Sequence, residues 1–190
     1  QIYIMNINNP AFVALVVAAG TGERFGGDMP KQYLPLLGKP VLQWSVDVFK
    51  NHPRIAEVFV ITHPDHAAFY PGGIPGGTTR QESVRKGLEE IARRTNPDFI
   101  LIHDAARPCL SARLISDICD SLLQHDAVIP GLPVTDTVKR FSGEKVTTED
   151  RNELYTVQTP QGFRFGKILA LHQAHAGATV TDDSSLCQDV

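Results

Sequence analysis

The 190-residue sequence predicts one α/β domain built on a mostly parallel sheet. Two observations carry this. Short continuous apolar runs, rich in Val and Ile, alternate with stretches whose apolar residues recur at helical spacing. The composition, 42% hydrophobic and 21% charged, is that of a globular chain long enough to bury a sizeable core. No internal repeat or low-complexity tract breaks the alternation.

Residues 11–18 (AFVALVVA) read as a strand buried on both faces, ending directly in a Gly-rich segment. Pro40 opens a helical pattern of Val41, Leu42, Trp44, Ser45, Val48 and Phe49, with proline at the first turn. Residues 58–62 form the next strand. Residues 71–77, dense in Gly and Pro, read as a loop. Thr78 or Thr79 then caps a helix over residues 80–93, with Val84, Leu88 and Ile91 on its apolar stripe. Residues 99–103 make a third buried strand, followed by Asp104-Ala-Ala-Arg107-Pro108. Ser111 caps a helix running to residue 123, and residues 127–129 fit a fourth strand. Residues 133–156 are polar, with β-friendly Thr and Val on either side of a turn at Ser142-Gly143. They predict a hairpin arm protruding from the domain. Residues 157–163 return to the core, and residues 166–175 are a last helix.

Charge and cysteine content exclude several classes. The net charge of −3 and pI near 6.2 give no global field to recruit nucleic acid or an anionic membrane. A polyanionic ligand must therefore meet local Arg and Lys. No apolar run approaches the roughly 18 residues of a transmembrane helix. Residues 1–10 lack the basic and apolar regions of a secretory signal and read as an N-terminal extension, with Met5 a candidate native start and residues 1–4 vector-derived. Cys109, Cys119 and Cys187 form no CxxC pair, as reduced thiols of a cytoplasmic protein would not.

The chemistry concentrates in Ala18-Ala19-Gly20-Thr21-Gly22-Glu23-Arg24-Phe25 and the following Pro30-Lys31. A Gly-rich turn after a buried strand places backbone N–H groups around an anion without a Cβ in the way. A dinucleotide fingerprint would need a third small residue where Phe25 stands, and an acidic residue about 20 positions on. A P-loop would need Gly-Lys-Ser/Thr. Instead Arg24 and Lys31 place two cations on one short loop, where a triphosphate gathers charge on the transferring phosphorus. The competing reading is a solvated turn with a surface ion pair.

Further blocks follow in order: Gly76-Gly77-Thr78-Thr79-Arg80-Gln81-Glu82-Ser83, His103-Asp104-Ala-Ala-Arg107-Pro108, Pro133-Val-Thr-Asp-Thr137-Val-Lys139, Asp150-Arg151-Asn152 with Gln158-Thr159-Pro160, and Thr181-Asp182-Asp183. Together with the loop they resemble the 2-C-methyl-D-erythritol 4-phosphate cytidylyltransferases, from about Val13 to the end. The resemblance implies a Rossmann-like nucleotidyltransferase domain of GT-A-like type over residues 11–190. It implies transfer of a cytidylyl group from CTP to methylerythritol phosphate, Mg²⁺ or another divalent cation as cofactor, and a homodimer formed through the arm. Ribitol phosphate or another polyol phosphate as acceptor, and a non-catalytic nucleotide-binding module, are the alternatives.

By the same resemblance, Arg24 and Lys31 are catalytic and stabilise the five-coordinate α-phosphorus. Ala18, Ala19, Gly20, Thr21, Gly22, Gly77, Arg80, Ser83 and Asp104 bind CTP. Asp104, Arg107, Thr137, Arg151 and Thr159 grip the acceptor, Arg151 serving a neighbouring subunit, and Asp104 is the metal ligand. The bland readings are helix capping for Ser83 and a structural Asp104–Arg107 pair. The sequence departs from the family at Thr78, where relatives often carry Asp. The segment before Gly76-Gly77 is short and lacks the strand expected there. Relatives also continue into a further strand with a second catalytic lysine, and some are fused to the pathway's cyclodiphosphate synthase. His63-x-x-His66 and His172-x-x-His175 have metal-compatible spacing without an evident third ligand. His103 reads as a satisfied strand-end residue.

Overall fold

A computed structural model of the chain describes residues 10–20 and 29–187. Strand β1 (Phe12–Ala18) is the long apolar run. A hairpin of β2 (Pro35–Leu36) and β3 (Lys39–Pro40) leads to helix α1 (Val41–Lys50). Pro40 is the helix N-cap rather than a first-turn residue, so the helix begins at Val41, one residue later than the sequence suggests. Strand β4 (Ile55–Thr62) starts three residues before the expected 58–62 run, because Ile55 already pairs with Phe12 of β1.

The loop at residues 71–77 contains a strand after all, β5 (Ile74–Pro75), parallel to the end of β4. Ile74 is buried, and Pro75 is tolerable because an edge position does not require its missing N–H. Helix α2 (Arg80–Arg94) begins at Thr79, whose Oγ1 accepts from Glu82 N as the expected cap. Strand β6 (Phe99–Asp104) and helix α3 (Ala112–Leu122), capped by Ser111, follow. After β7 (Ala127–Val128) the chain enters the arm. Its base is β8 (Gly131–Pro133) paired with β11 (Tyr155–Val157); its tip is β9 (Lys139–Ser142) paired with β10 (Lys145–Thr148). Gly143 supplies the positive φ, +60°, that closes the tip's tight turn. Strand β12 (Gln161–Arg164) and helix α4 (Phe165–Ala174) complete the domain.

The main sheet has the order β5-β4-β1-β6-β12-β7. Strands β5, β4, β1 and β6 are parallel, and β12 runs against both its neighbours. Alternate residues of β1 feed two cores. Phe12, Ala14 and Val16 pack with Leu42, Val46 and Phe49 of α1 and Ile115, Ile118 and Leu122 of α3. Val13 and Leu15 pack with Val84, Leu88 and Ile91 of α2 and Phe165 and Ile168 of α4. The result is three layers, helices on both faces of the sheet. The chain leaves β1 for β4 on one side and later reaches β6 on the other, so the switch point lies at the C-terminal end of β1.

Candidate active site

A cleft of about 920 Å³ opens at that switch point. Ala19, Gly20, Lys31, Gly77, Arg80, Ser83, Asp104 and Arg107 all face it, so residues scattered along the sequence converge. Thr21, Gly22 and Arg24 lie outside the described residues.

The root of the Gly-rich loop is fixed by neighbours in sequence. The buried Gln32 carboxamide donates to Ala18 O at 2.8 Å and to Gly20 O at 2.7 Å. The Tyr33 hydroxyl donates to Ala18 O at 3.0 Å. Ala18 is therefore buried, with its carbonyl occupied, while Ala19 and Gly20 face the cleft. Burial raises the Tyr33 pKa, so the phenol stays protonated as the donor that this contact needs. Lys31 opens a 3-10 turn, Lys31–Tyr33, and is exposed to the cleft.

The Gly76-Gly77 turn forms the opposite wall. Gly76 N donates to Thr62 O at 2.8 Å, tying the turn to β4. Gly77 N donates to Ser83 Oγ at 3.0 Å, and that hydroxyl donates on to Thr79 O at 2.8 Å. Ser83 is thus engaged by its own loop and shapes the turn. The Glu82 carboxylate accepts from Thr78 N at 2.7 Å and Thr78 Oγ1 at 2.9 Å. Those bonds, led by the Thr78 amide and joined by Lys86, hold its pKa down to about 2. Thr78, the departure from the family pattern, is a capping partner here.

Asp104 ends β6 and sits between two guanidinium groups. Arg80 Nη2 lies 3.5 Å from one carboxylate oxygen, and Arg107 Nε donates to the other at 3.2 Å. Arg107 Nη1 also donates to Gln158 Oε1 at 2.6 Å. His103 is buried, and burial lowers its pKa to about 4, so the ring is neutral. One nitrogen lies 3.0 Å from Arg107 O and the other 2.9 Å from the Thr159 hydroxyl. Asp104 N donates to the same Thr159 oxygen at 3.3 Å. Thr159 therefore braces the end of β6 beneath the cleft, and His103 is the satisfied strand-end residue its sequence suggests.

Thr137 and Arg151 are not part of this cleft. Both are exposed on the arm, and Arg151 Nη1 donates to Thr135 O at 2.7 Å. His63 caps the Pro64–Phe69 turn and lines the cleft, and His66 packs on Tyr33. His172 is buried against Asp183. Among the described residues, no group of three or more His, Cys, Asp or Glu side chains is arranged to hold a metal ion. No helix among them is long and apolar enough to cross a membrane.

Two contributions escape sequence reasoning. Gln32 directly follows the Pro30-Lys31 pair but carries no charge to mark it. Asp183 pairs with Arg80 Nη2 at 2.7 Å across 103 residues, and only its place in the last motif block hinted at it.

Comparison with known proteins accords with this geometry. The family model described as "IspD: 2-C-methyl-D-erythritol 4-phosphate cytidylyltransferase" matches residues 12–190. A "Bifunctional enzyme IspD/IspF" of Rhodospirillum rubrum is 44% identical over 186 residues, covering 92% of this chain and 48% of that protein. A protein of the same name from Paramagnetospirillum magneticum is 42% identical, covering 93% and 48%. The chain thus spans about half the length of these curated relatives. Among solved structures, the 4-diphosphocytidyl-2C-methyl-D-erythritol synthase of Anaerococcus prevotii superposes with a TM-score of 0.79 at 28% identity, covering 95% of this chain and 82% of that one. The 2-C-methyl-D-erythritol 4-phosphate cytidylyltransferase of Thermus thermophilus gives 0.75 at 30% identity, covering 93% and 83%. A sequence match spanning nearly the whole chain, on a fold that superposes to this degree, makes it a member of the 2-C-methyl-D-erythritol 4-phosphate cytidylyltransferase family.

Proposed function

We propose that this chain is the cytidylyltransferase part of a cytoplasmic enzyme that joins CTP to 2-C-methyl-D-erythritol 4-phosphate, releasing pyrophosphate. The two-part name of its curated relatives supports placing it in a bifunctional protein. The observation that carries the reading is the convergence of Lys31, Arg80, Asp104 and Arg107 on one cleft at the switch point, in a chain of this family.

The acceptor's phosphate oxygen attacks the α-phosphorus of CTP in line, and pyrophosphate leaves. A phosphate monoester is ionised near neutral pH, so no strong general base is needed. Catalysis then rests on positioning and charge neutralisation. Lys31 and Arg24 meet the charge that gathers on the transferring phosphorus. The turn at Gly77 and Ser83, with Arg80, receives the nucleotide. Arg107 and Asp104 face the acceptor, and Thr159 and His103 brace the strand that carries them.

A divalent cation suits the cleft, because Mg²⁺ is commonly held by one or two carboxylates plus substrate phosphates. Asp104 is a half-exposed carboxylate whose arginine contacts, at 3.5 and 3.2 Å, are long enough to share it. When bound, Mg²⁺ would neutralise charge on the triphosphate. The arm exposes Phe141, Leu132 and Tyr155, three large apolar side chains, which supports a homodimer joined through it with Arg151 serving the partner's cleft.

Pyrophosphate release is measured with CTP and either methylerythritol phosphate or ribitol phosphate. Turnover with the first alone is expected. Turnover with ribitol phosphate instead identifies another polyol cytidylyltransferase, and CTP binding without turnover identifies a binding module. Lys31→Ala should lower the rate on the order of 10²–10³-fold; near-normal release by that variant refutes the role of Lys31.

A further inference from the structure

Behind the cleft wall, α4 and the segment after it meet α2 in a polar cluster sealed from solvent. His172 and Asp183 are both 0% exposed. His172 Nε2 lies 3.1 Å from Asp183 Oδ1, and Asp183 Oδ2 accepts from Arg80 Nη2 at 2.7 Å. Two carboxamides fix the frame. Gln81 Nε2 donates to His172 O at 2.8 Å, and Gln161 spans Asp182 Oδ2 at 2.8 Å and Ser184 N at 3.1 Å.

A buried carboxylate persists only when paired and hydrogen-bonded. Burial would push the Asp183 carboxyl up, but His172 and Arg80 outweigh it and hold it below the usual carboxylate range. Burial likewise works against the Arg80 charge, and Asp183 followed by Asp104 more than offsets it. The pair is asymmetric in a useful way. Arg80 spends its short contact on the buried Asp183 and only a 3.5 Å contact on Asp104. The Arg80 side chain remains about a quarter exposed and lines the cleft, so its anchored guanidinium is part of the cleft wall.

We infer that Asp183, oriented by His172, is a positioning residue that holds the Arg80 guanidinium in the cleft wall where the nucleotide binds. The inference rests on the proposal that this cleft binds CTP. Neither His172 nor Asp183 touches ligand; both act through Arg80.

The test compares wild type with Asp183→Asn, His172→Leu and His172→Gln, each checked for cooperative thermal unfolding. KM for each substrate and kcat are measured, and CTP binding is followed by calorimetry. Asp183→Asn should weaken CTP on the order of tenfold, the scale of a charge-assisted contact. His172→Leu, which removes the donor, should weaken it several-fold. His172→Gln places an N–H at the same bond count from Cα and should restore it. KM for methylerythritol phosphate should stay within about twofold. Wild-type CTP affinity in folded Asp183→Asn overturns the inference, as do losses shared equally by both substrates. If Asp183→Asn does not fold, the histidine pair decides: equal CTP affinity in His172→Leu and His172→Gln overturns it. Failure of the wild type itself to bind CTP instead refutes the underlying reading of the cleft.

Discussion

Replacing Gly76 with alanine adds one methyl group where the two ligand loops touch. A Cβ there would lie 2.6 Å from Ala19 Cβ, 3.0 Å from Ser83 Oγ and 3.2 Å from Thr62 O. Carbon atoms rest about 3.5–4.0 Å apart, so residues 19 and 76 must separate by about 1 Å. None of the neighbours yields easily. Ala19 Cβ moves only with its backbone, Thr62 O already accepts from Gly76 N, and Ser83 Oγ is held by Gly77 and Thr79. Overpacking of this kind costs about 1–3 kcal/mol, a fall in Tm of about 3–10 °C for a domain of this size. A displacement of about 1 Å between the phosphate loop and the nucleotide wall is expected to lower kcat/KM about 100-fold. Thermal unfolding and pyrophosphate release measure the two effects. Adding Ala19→Gly removes the opposing methyl and should recover most of both. Gly76→Ala with unchanged Tm and kcat/KM within about threefold of wild type would refute the contact argument, as would a double variant no better than the single.

Gln32→Ala removes two donors from the loop root. Tyr33 still serves Ala18 O and water reaches Gly20 O, so the loss should be about 1–2 kcal/mol of stability by urea titration, with KM for CTP raised more than kcat is lowered. His103 links stability to pH. Its folded pKa, about 4, lies below the unfolded value of 6.5, so its contribution is present above pH 6.5 and is lost as pH falls toward 4. The size is about 3 kcal/mol. Denaturant titrations across that window should show the loss, and His103→Gln should flatten it; an unchanged slope refutes a buried neutral ring.

Much of this was legible in the sequence because it is local. The run at residues 11–18, the caps at Thr79 and Ser111, and the turn at Gly143 each state their conformation within a few residues. Lys31, Arg80, Asp104 and Arg107 carry charge in recognisable blocks, and the fold brings them together. What was illegible depends on partners. Gln32 matters because two carbonyls 12 and 14 residues away face it. His172 has metal-like spacing with His175, yet its interior position pairs it with Asp183 instead. The reversed direction of β12 and the two-residue β5 follow from sheet neighbours, which periodicity does not report.

The arm is rooted with consequence. It departs from β7 and rejoins at β12, and those two strands pair with each other while β12 pairs with β6. At the rejoining point Gln158 holds Arg107 and Thr159 holds the end of β6. The root of the Gly-rich loop, at Ala18–Gly20, and the Gly76-Gly77 turn lie by β1, β4 and α2, on the far side of the switch point. On the proposed reading, the nucleotide and the acceptor are held mainly from opposite sides of the switch point, with Asp104 shared between them. On that reading, selection for a different acceptor would act on the arm and Arg107, while the Gly76-Gly77 turn stays as it is. Any body that grips the arm likewise holds a handle on Arg107 and, through Thr159, on Asp104.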